Sequence, residues 1–223
     1  MTVAPSILLE APTWLVVDKP AGWHTVLGAT AASSDGSGVI EAWIARSRPE
    51  LVDLPEHGLV HRLDRDTSGC LVVARTALAH ADLARRFRDG VGVRKWYLAR
   101  VAPGIAADGA ATFFYTSRHK GSARVTVAAA GDPKHVGRFR WRVVERDDRR
   151  GDVVELELVG PGKRHQLRAG CARLGHPLVG DALYGGAAGD AMCLHAARVE
   201  IDGVVAEAPR PAWASPDDNG SRA

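Results

Sequence analysis

Two runs in the second half of the chain alternate apolar and polar residues with a period of two. "RFRWRVV" (138–144) sets Arg138, Arg140 and Arg142 against Phe139, Trp141 and Val143. "VVELELV" (153–159) repeats the pattern and closes on Gly160-Pro161-Gly162. Successive side chains of a strand point to opposite faces, so such runs require a sheet with one face buried and one wet. Antiparallel strands meet that requirement. Shorter runs add strands at 7–10, 14–18, 70–74, 95–102 and a last one at 193–201. The segment 95–102 is apolar on both faces, which places it centrally.

Helices come singly between these strands. Ile40, Trp43 and Ile44 have helical spacing in "VIEAWIARS". Thr76 is placed to cap a helix over 77–88, with Leu83 and Phe87 four apart and Gly90 as its stop. "KRHQLRAGCARLG" (163–175) reads as a helix with Leu167, Cys171 and Leu174 on its apolar stripe and Arg164 and Arg168 sharing another face. The small, polar, glycine-rich stretch 28–38 reads as a mobile loop. There is no repeat, no linker and no regular β–α–β alternation, so the expectation is one mixed α+β domain over 1–211. The proline-rich, polar end, 212–223, is expected to be a flexible tail.

With 46% hydrophobic residues in 223, the core is large enough to need no staples. Three cysteines without a CxxC pair argue against a disulfide framework and point to a reducing, cytoplasmic compartment. No signal sequence or membrane span is read in the chain. A net charge of +3 permits a nucleic-acid partner without requiring one. Arginines gather in two groups, 85–100 and 138–150, and suit phosphates, although an arginine-rich genome would give the same bias. For the alternating arginines of 138–142, a solvated outer face is preferred to an RNA contact.

Metal, phosphate-loop, dinucleotide and serine-elbow patterns are missing. His57 and His61 lack the glutamate of HExxH, and no GxxxxGK[ST], GxGxxG or GxSxG occurs in the right context. The densest chemistry is "HGLVHRLDRDTSGCLVVAR" (57–75), where Asp64 and Asp66 sit among Arg62 and Arg65. A carboxylate can act as a covalent nucleophile if it is kept ionised and aimed, and a nearby arginine favours the ionised form. On spacing alone a self-neutralised turn is the preferred reading, with an active-site loop as the alternative.

"HRLDRDTSGCLVVAR" resembles the signature of the RluA family of RNA pseudouridine synthases. Four further segments resemble that family in order: "LVVDKPAGW", "KWYLARV", "GKRHQLR" with "GHPLVGDALYG", and "CLHA". The resemblance runs from about residue 7 to residue 211. It implies a mainly antiparallel sheet in two halves, with helices and a central active-site cleft. It also implies isomerisation of uridine to pseudouridine in ribosomal or transfer RNA, by a monomer without cofactor or metal. Asp64 takes the position of the catalytic aspartate, attacking either the base or C1′ of the ribose. Tyr97 takes that of the tyrosine packed on the target base, and Arg168 that of the carboxylate's partner. Arg62 is placed to help flip the nucleotide. His61, Arg65, Lys95, His165 and Gln166 complete the expected substrate-binding surround, with the two histidines as hydrogen-bonders rather than proton shuttles. Asp66 is given a structural role only. The family's usual histidine after HQLR-x is replaced by Gly170, and no room is seen for a small RNA-binding S4 domain. A catalytically silent RNA-binding protein on the same fold is the alternative reading.

Overall fold

The computed structural model describes residues 3–26, 38–117, 119 and 122–215. The chain runs β1 (Ser6–Glu10), β2 (Trp14–Lys19), α1 (Ile40–Ser47), β3 (Ser68–Ala74), α2 (Ala77–Asp89), β4 (Val93–Val101), β5 (Asp108–Thr116), β6 (Thr126–Ala128), β7 (Val136–Glu145), β8 (Asp152–Val159), α3 (Gln166–Arg173), β9 (Leu194–Ile201) and β10 (Val204–Glu207). The ten strands form one sheet in the order β1-β2-β3-β9-β4-β8-β7-β5-β6, with β10 also on β9. This is the expected mixed α+β architecture.

All named strand pairings are antiparallel except one. β3 and β9 run parallel and meet through Ser68↔His195 and Gly69↔Ala196. That short contact joins the β1-β2-β3 half to the rest of the sheet. Gly69 makes it possible. Its φ of 103° suits only glycine, and a Cβ there would lie 2.2 Å from the Ala196 carbonyl oxygen.

The apolar residues gather in separate clusters, and those of the first half reach across the junction to β4 and β9. On the first half, α1 packs Ile40 and Ile44 with Leu15, Val17, Leu71 and Val73. Leu83 and Phe87 of α2 join Val16, Val72, Val93 and Ile201 in a second cluster. The larger half packs Leu167 and Cys171 of α3 onto Phe139, Leu156 and Ala99. The local signals for α2 hold. Thr76 Oγ1 accepts from the Ala79 N–H at 3.2 Å, and Gly90 ends the helix at φ 70°.

β7 and β8 alternate as expected. Trp141 sits opposite Leu156 on the covered face, while Arg140 sits opposite Glu157 on the other. Arg142 Nε donates to Glu155 Oε1 at 2.9 Å, and Arg140 lies 4.0 Å from Glu157. The arginine stripe is thus an outer face carrying cross-strand ion pairs, each adding at most about 1 kcal/mol.

Three strands, β5, β6 and β10, go beyond the sequence expectation. The segment 193–201 is therefore not the last strand. The tail is also docked further than expected. Arg100 Nη2 and Nε donate to the Trp213 carbonyl at 2.6 and 3.2 Å, and Ala214 is fully buried. Residues 216–223, and 28–37 of the expected mobile loop, lie outside the described residues. The expected helix over 163–175 is shorter, because His165 adopts the left-handed φ of 53° and α3 begins only at Gln166. Arg164 and Arg168 consequently do not share a helix face.

The junction glycine yields a direct expectation. Gly69→Ala should destabilise the chain by at least about 1–3 kcal/mol, from left-handed strain plus the carbonyl clash. Urea unfolding of the two proteins measures it, and equal midpoints would contradict it.

Candidate active site

The loop between residues 62 and 67 is gripped from behind by a buried lysine. Lys19, at the end of β2, has no solvent exposure. Its Nζ donates to the carbonyls of Pro20, Arg65 and Thr67 at 3.0, 2.9 and 2.7 Å. Three acceptors match the three protons of an ammonium group. Burial pulls the Lys19 pKa down to about 7, against the attraction of Asp66 and Asp64. Thr25 secures the other flank. Its hydroxyl donates to the Leu63 carbonyl at 2.8 Å and accepts from the Leu63 N–H at 3.2 Å. Arg65 borders the wider cleft described below, with Nε donating to the Gly22 carbonyl at 3.2 Å.

This clamp presents Asp64 to α3. Arg168 Nη1 donates to Asp64 Oδ2 at 2.9 Å. The rest of the guanidinium is taken by Asp181, with Nε to Oδ2 at 2.7 Å and Nη2 to Oδ1 at 2.9 Å. The two-pronged geometry fixes the plane of the arginine. The Asp181 side chain is 1% exposed and that of Asp64 is 27% exposed. Burial works against the Arg168 charge, but the hydrogen bonds to Asp181 and Asp64 outweigh it and raise the pKa.

His165 and Tyr184 extend the network. The Tyr184 hydroxyl accepts from the Val125 N–H at 2.9 Å and lies 2.9 Å from His165 Nδ1. His165 Nε2 stands 3.8 Å from Asp64 Oδ1, the oxygen Arg168 does not touch. Burial lowers the His165 pKa, with Asp64 pulling the other way, so the ring is neutral.

Asp64, Arg168 and Tyr97 line one narrow recess of about 80 Å³, walled by Leu158, Leu167 and Leu194. It opens into a cleft of about 880 Å³ that Arg62, Arg88, Lys95 and Lys163 also line. Tyr97 stays a neutral phenol, because burial and then the Asp64 charge raise its pKa. Arg62 is exposed and makes no ion pair among the described residues.

The remaining expected binding residues divide. Lys95 lines the wider cleft, with Nζ donating to the Gly160 carbonyl at 3.2 Å and its pKa brought down to about 8 by burial. His61 lines the cleft but is stacked on Phe87 at 4.1 Å, and its Nε2 accepts from the Val72 N–H at 2.9 Å. Gln166 borders the recess but is spent on the fold. Its Oε1 accepts from the Lys163 N–H and its Nε2 donates to the Arg138 carbonyl, at 2.8 and 3.0 Å. Lys19, Asp181 and Tyr184 went unassigned in the sequence. All three stand in quoted motif segments, KPAG and GDALY, but only the three-dimensional contacts give them roles. Among the described residues no three His, Cys, Asp or Glu side chains cluster as a metal site requires.

Two stability expectations follow from this network. Asp181→Asn removes the buried partner of Arg168 and should cost about 3–5 kcal/mol, whereas Asp64→Asn leaves that partner and should cost clearly less. Denaturant titrations rank the two, and the reverse order would contradict the arrangement. The second concerns acid. Burial, then the Lys95 charge, push the His61 pKa down to about 3, from an ordinary value of 6.5. Unfolded chains therefore bind the extra proton between those values, so stability falls as pH drops from about 6.5 toward 3. His61→Gln should show a shallower loss over that window, and an unchanged profile would contradict it.

The pattern of the RNA pseudouridylate synthase family matches residues 13–173. Among curated relatives, the ribosomal large subunit pseudouridine synthase D of Nitrosomonas europaea is 34% identical over 80% of this chain and 49% of its own length. Its Xanthomonas campestris counterpart is 38% identical over 82% and 52%. The chain thus spans about half the length of these relatives. An uncharacterized RNA pseudouridine synthase of Zymomonas mobilis is 32% identical over 94% of this chain and 95% of its own. The fold is shared with human RNA pseudouridylate synthase domain containing 1, at a TM-score of 0.66 and 24% identity over 93% of this chain and 83% of that one. Human RNA pseudouridylate synthase domain containing 4 matches at 0.69 and 17%, over 93% and 89%. A signature stretch that folds into the Asp64 loop, and a matched segment that covers most of the chain, together make this protein a member of the RNA pseudouridylate synthase family.

Proposed function

We propose that the chain isomerises uridine to pseudouridine in RNA, with large-subunit ribosomal RNA the first substrate to test. The names of its relatives support that substrate, and a ribosomal target puts the protein in the cytoplasm. The observation that carries the reading is Asp64 itself. One of its oxygens is held by Arg168 and the other is left toward a recess that Tyr97 and three leucines wall. A nucleophile must be fixed yet have a reactive atom free, and this carboxylate meets both demands.

The reaction balances without a redox partner. The bond between C1′ and N1 breaks, the base turns within the recess, and C1′ bonds to C5. The hydrogen on C5 leaves as a proton, and N1, freed of the sugar, takes one up. Asp64 forms the transient bond, to the base or to C1′. Tyr97 offers a ring face to a base of any identity. Arg168, fixed by Asp181, steadies the carboxylate. Arg62 is free beside Asp64 to fill the space of a flipped nucleotide, a rearrangement that costs a few kcal/mol.

Gly170 does not favour a silent binder. A Cβ at this position would stand 2.6 Å from Phe139 Cε1 and 2.8 Å from the Tyr115 hydroxyl. Those two side chains occupy the space beside the helix, so the departure is absorbed in packing, away from Asp64.

RNA carrying tritium at C5 of uridine tests the reading. Isomerisation releases tritium to water, a hydrolase releases tritiated uracil, and a pure binder releases neither. Asp64→Asn should abolish release, at least about 10³-fold, while RNA binding persists. Release by the Asp64→Asn protein at the wild-type rate would overturn the assignment. Arg62→Ala should be impaired more on a paired uridine than on one in an open loop.

A further inference from the structure

Beside the Asp64 recess lies a second cavity, of about 590 Å³, on the β6 side of α3. Ser122, Arg124, Thr126, Ala169, Arg173 and Tyr184 are among its walls. Its volume is that of an ordinary ligand site. None of its lining residues is acidic. Arg124 and Arg173 are exposed, and among the described residues neither makes an ion pair. Several other surface arginines are paired with carboxylates. Arg86 pairs with Asp82 and Asp202, Arg94 with Glu157 and Glu200, and Arg142 with Glu155. Two unneutralised guanidinium groups facing one cavity hold a local positive field that an anion would relieve.

The two cavities have no lining residue in common, but Arg168 of the first stands against Tyr184 of the second. The guanidinium carbon of Arg168 lies 5.4 Å from the Tyr184 ring centre, and that of Arg124 lies 5.5 Å from it. Tyr184 is in turn bonded to His165, which faces Asp64. In sequence, Ala169 of the second cavity directly follows Arg168 of the first. The β6 approach is held to the start of α3 by Arg164, which donates to the Ser122 and Ala123 carbonyls at 2.7 and 3.0 Å. That clamp ties the wall of the cleft, which Arg164 also lines, to the segment that carries Arg124.

We propose that this cavity is a subsite for a nucleotide flanking the target uridine, with Arg124 and Arg173 receiving its phosphates. The subsite rests on the reading of the chain as an enzyme acting on RNA. A strand with its uridine in the Asp64 recess passes the Tyr184 wall and lays its neighbouring phosphates between the two arginines. The guanidinium forks suit phosphate oxygens, and Tyr184 offers an aromatic edge to the intervening sugar and base.

The test uses a fluorescent nine-nucleotide single-stranded RNA with one central uridine, titrated against the full chain at several salt concentrations. Each phosphate neutralised on a single strand contributes about 0.7 to the slope of log affinity against log salt. Arg124→Gln with Arg173→Gln should lower that slope by about 1.4 and weaken binding at 50 mM salt about tenfold or more. Both arginines are exposed, so folding should survive, and the Arg124→Lys with Arg173→Lys protein should recover the slope. An unchanged slope and affinity in the glutamine protein would overturn the subsite, as would a loss that lysine fails to restore. Tritium release by the wild-type chain is read in parallel. Release with an unchanged slope removes the subsite alone. A lowered slope without release keeps an RNA subsite and removes the proposed catalysis.

Discussion

One guanidinium serves two carboxylates. Arg168 gives one N–H to Asp64 and two to Asp181, and the geometry of everything around the recess is referred to that plane. The sharing is unequal. Asp181 is buried and bonded at both oxygens, while Asp64 keeps one oxygen out of the pair. A lysine could not do this, because a point charge has no plane to transmit from one carboxylate to the other. The buried aspartate sets the arginine, and the arginine sets the exposed aspartate.

Behind Asp64 the loop depends on a second shared cation. Lys19 collects three backbone carbonyls, two of them from the loop itself. A buried lysine is costly unless its protons are satisfied. Here the cost is offset by three hydrogen bonds to backbone carbonyls. Arg168 in front and Lys19 behind leave the loop little freedom. That rigidity fixes where the Asp64 carboxylate stands.

Much of this was legible in the sequence. The period-two runs located β7 and β8 and gave the correct outer face for the arginines. Thr76 and Gly90 gave both ends of α2, because capping is a local interaction. β5 was missed because "DGAATFFYT" carries glycine and alanines where a strand signal needs bulk; Gly109 is small because the Trp141 indole occupies its side-chain space. The start of α3 was misplaced because nothing local announces the left-handed turn at His165. Asp64 and Arg168 were named through the family pattern, but spacing could not show them paired. Asp181 and Lys19 escaped assignment for the same reason. Each acts through a partner distant in sequence, and no window along the chain contains both.

The brief parallel contact of β3 with β9 has a bearing on how the Asp64 recess forms. It ties Ser68 to His195, 127 positions apart, and the Asp64–Arg168 pair spans 104. Contacts of such separation form slowly, since the loops they close must lose their entropy first. Hairpins β1-β2 and β7-β8, and helix α2, can assemble from near neighbours. The recess comes into being only when the two halves dock. The recess is therefore a report on the completed topology, and a chain with its secondary structure in place but its halves undocked would be well ordered and lack it.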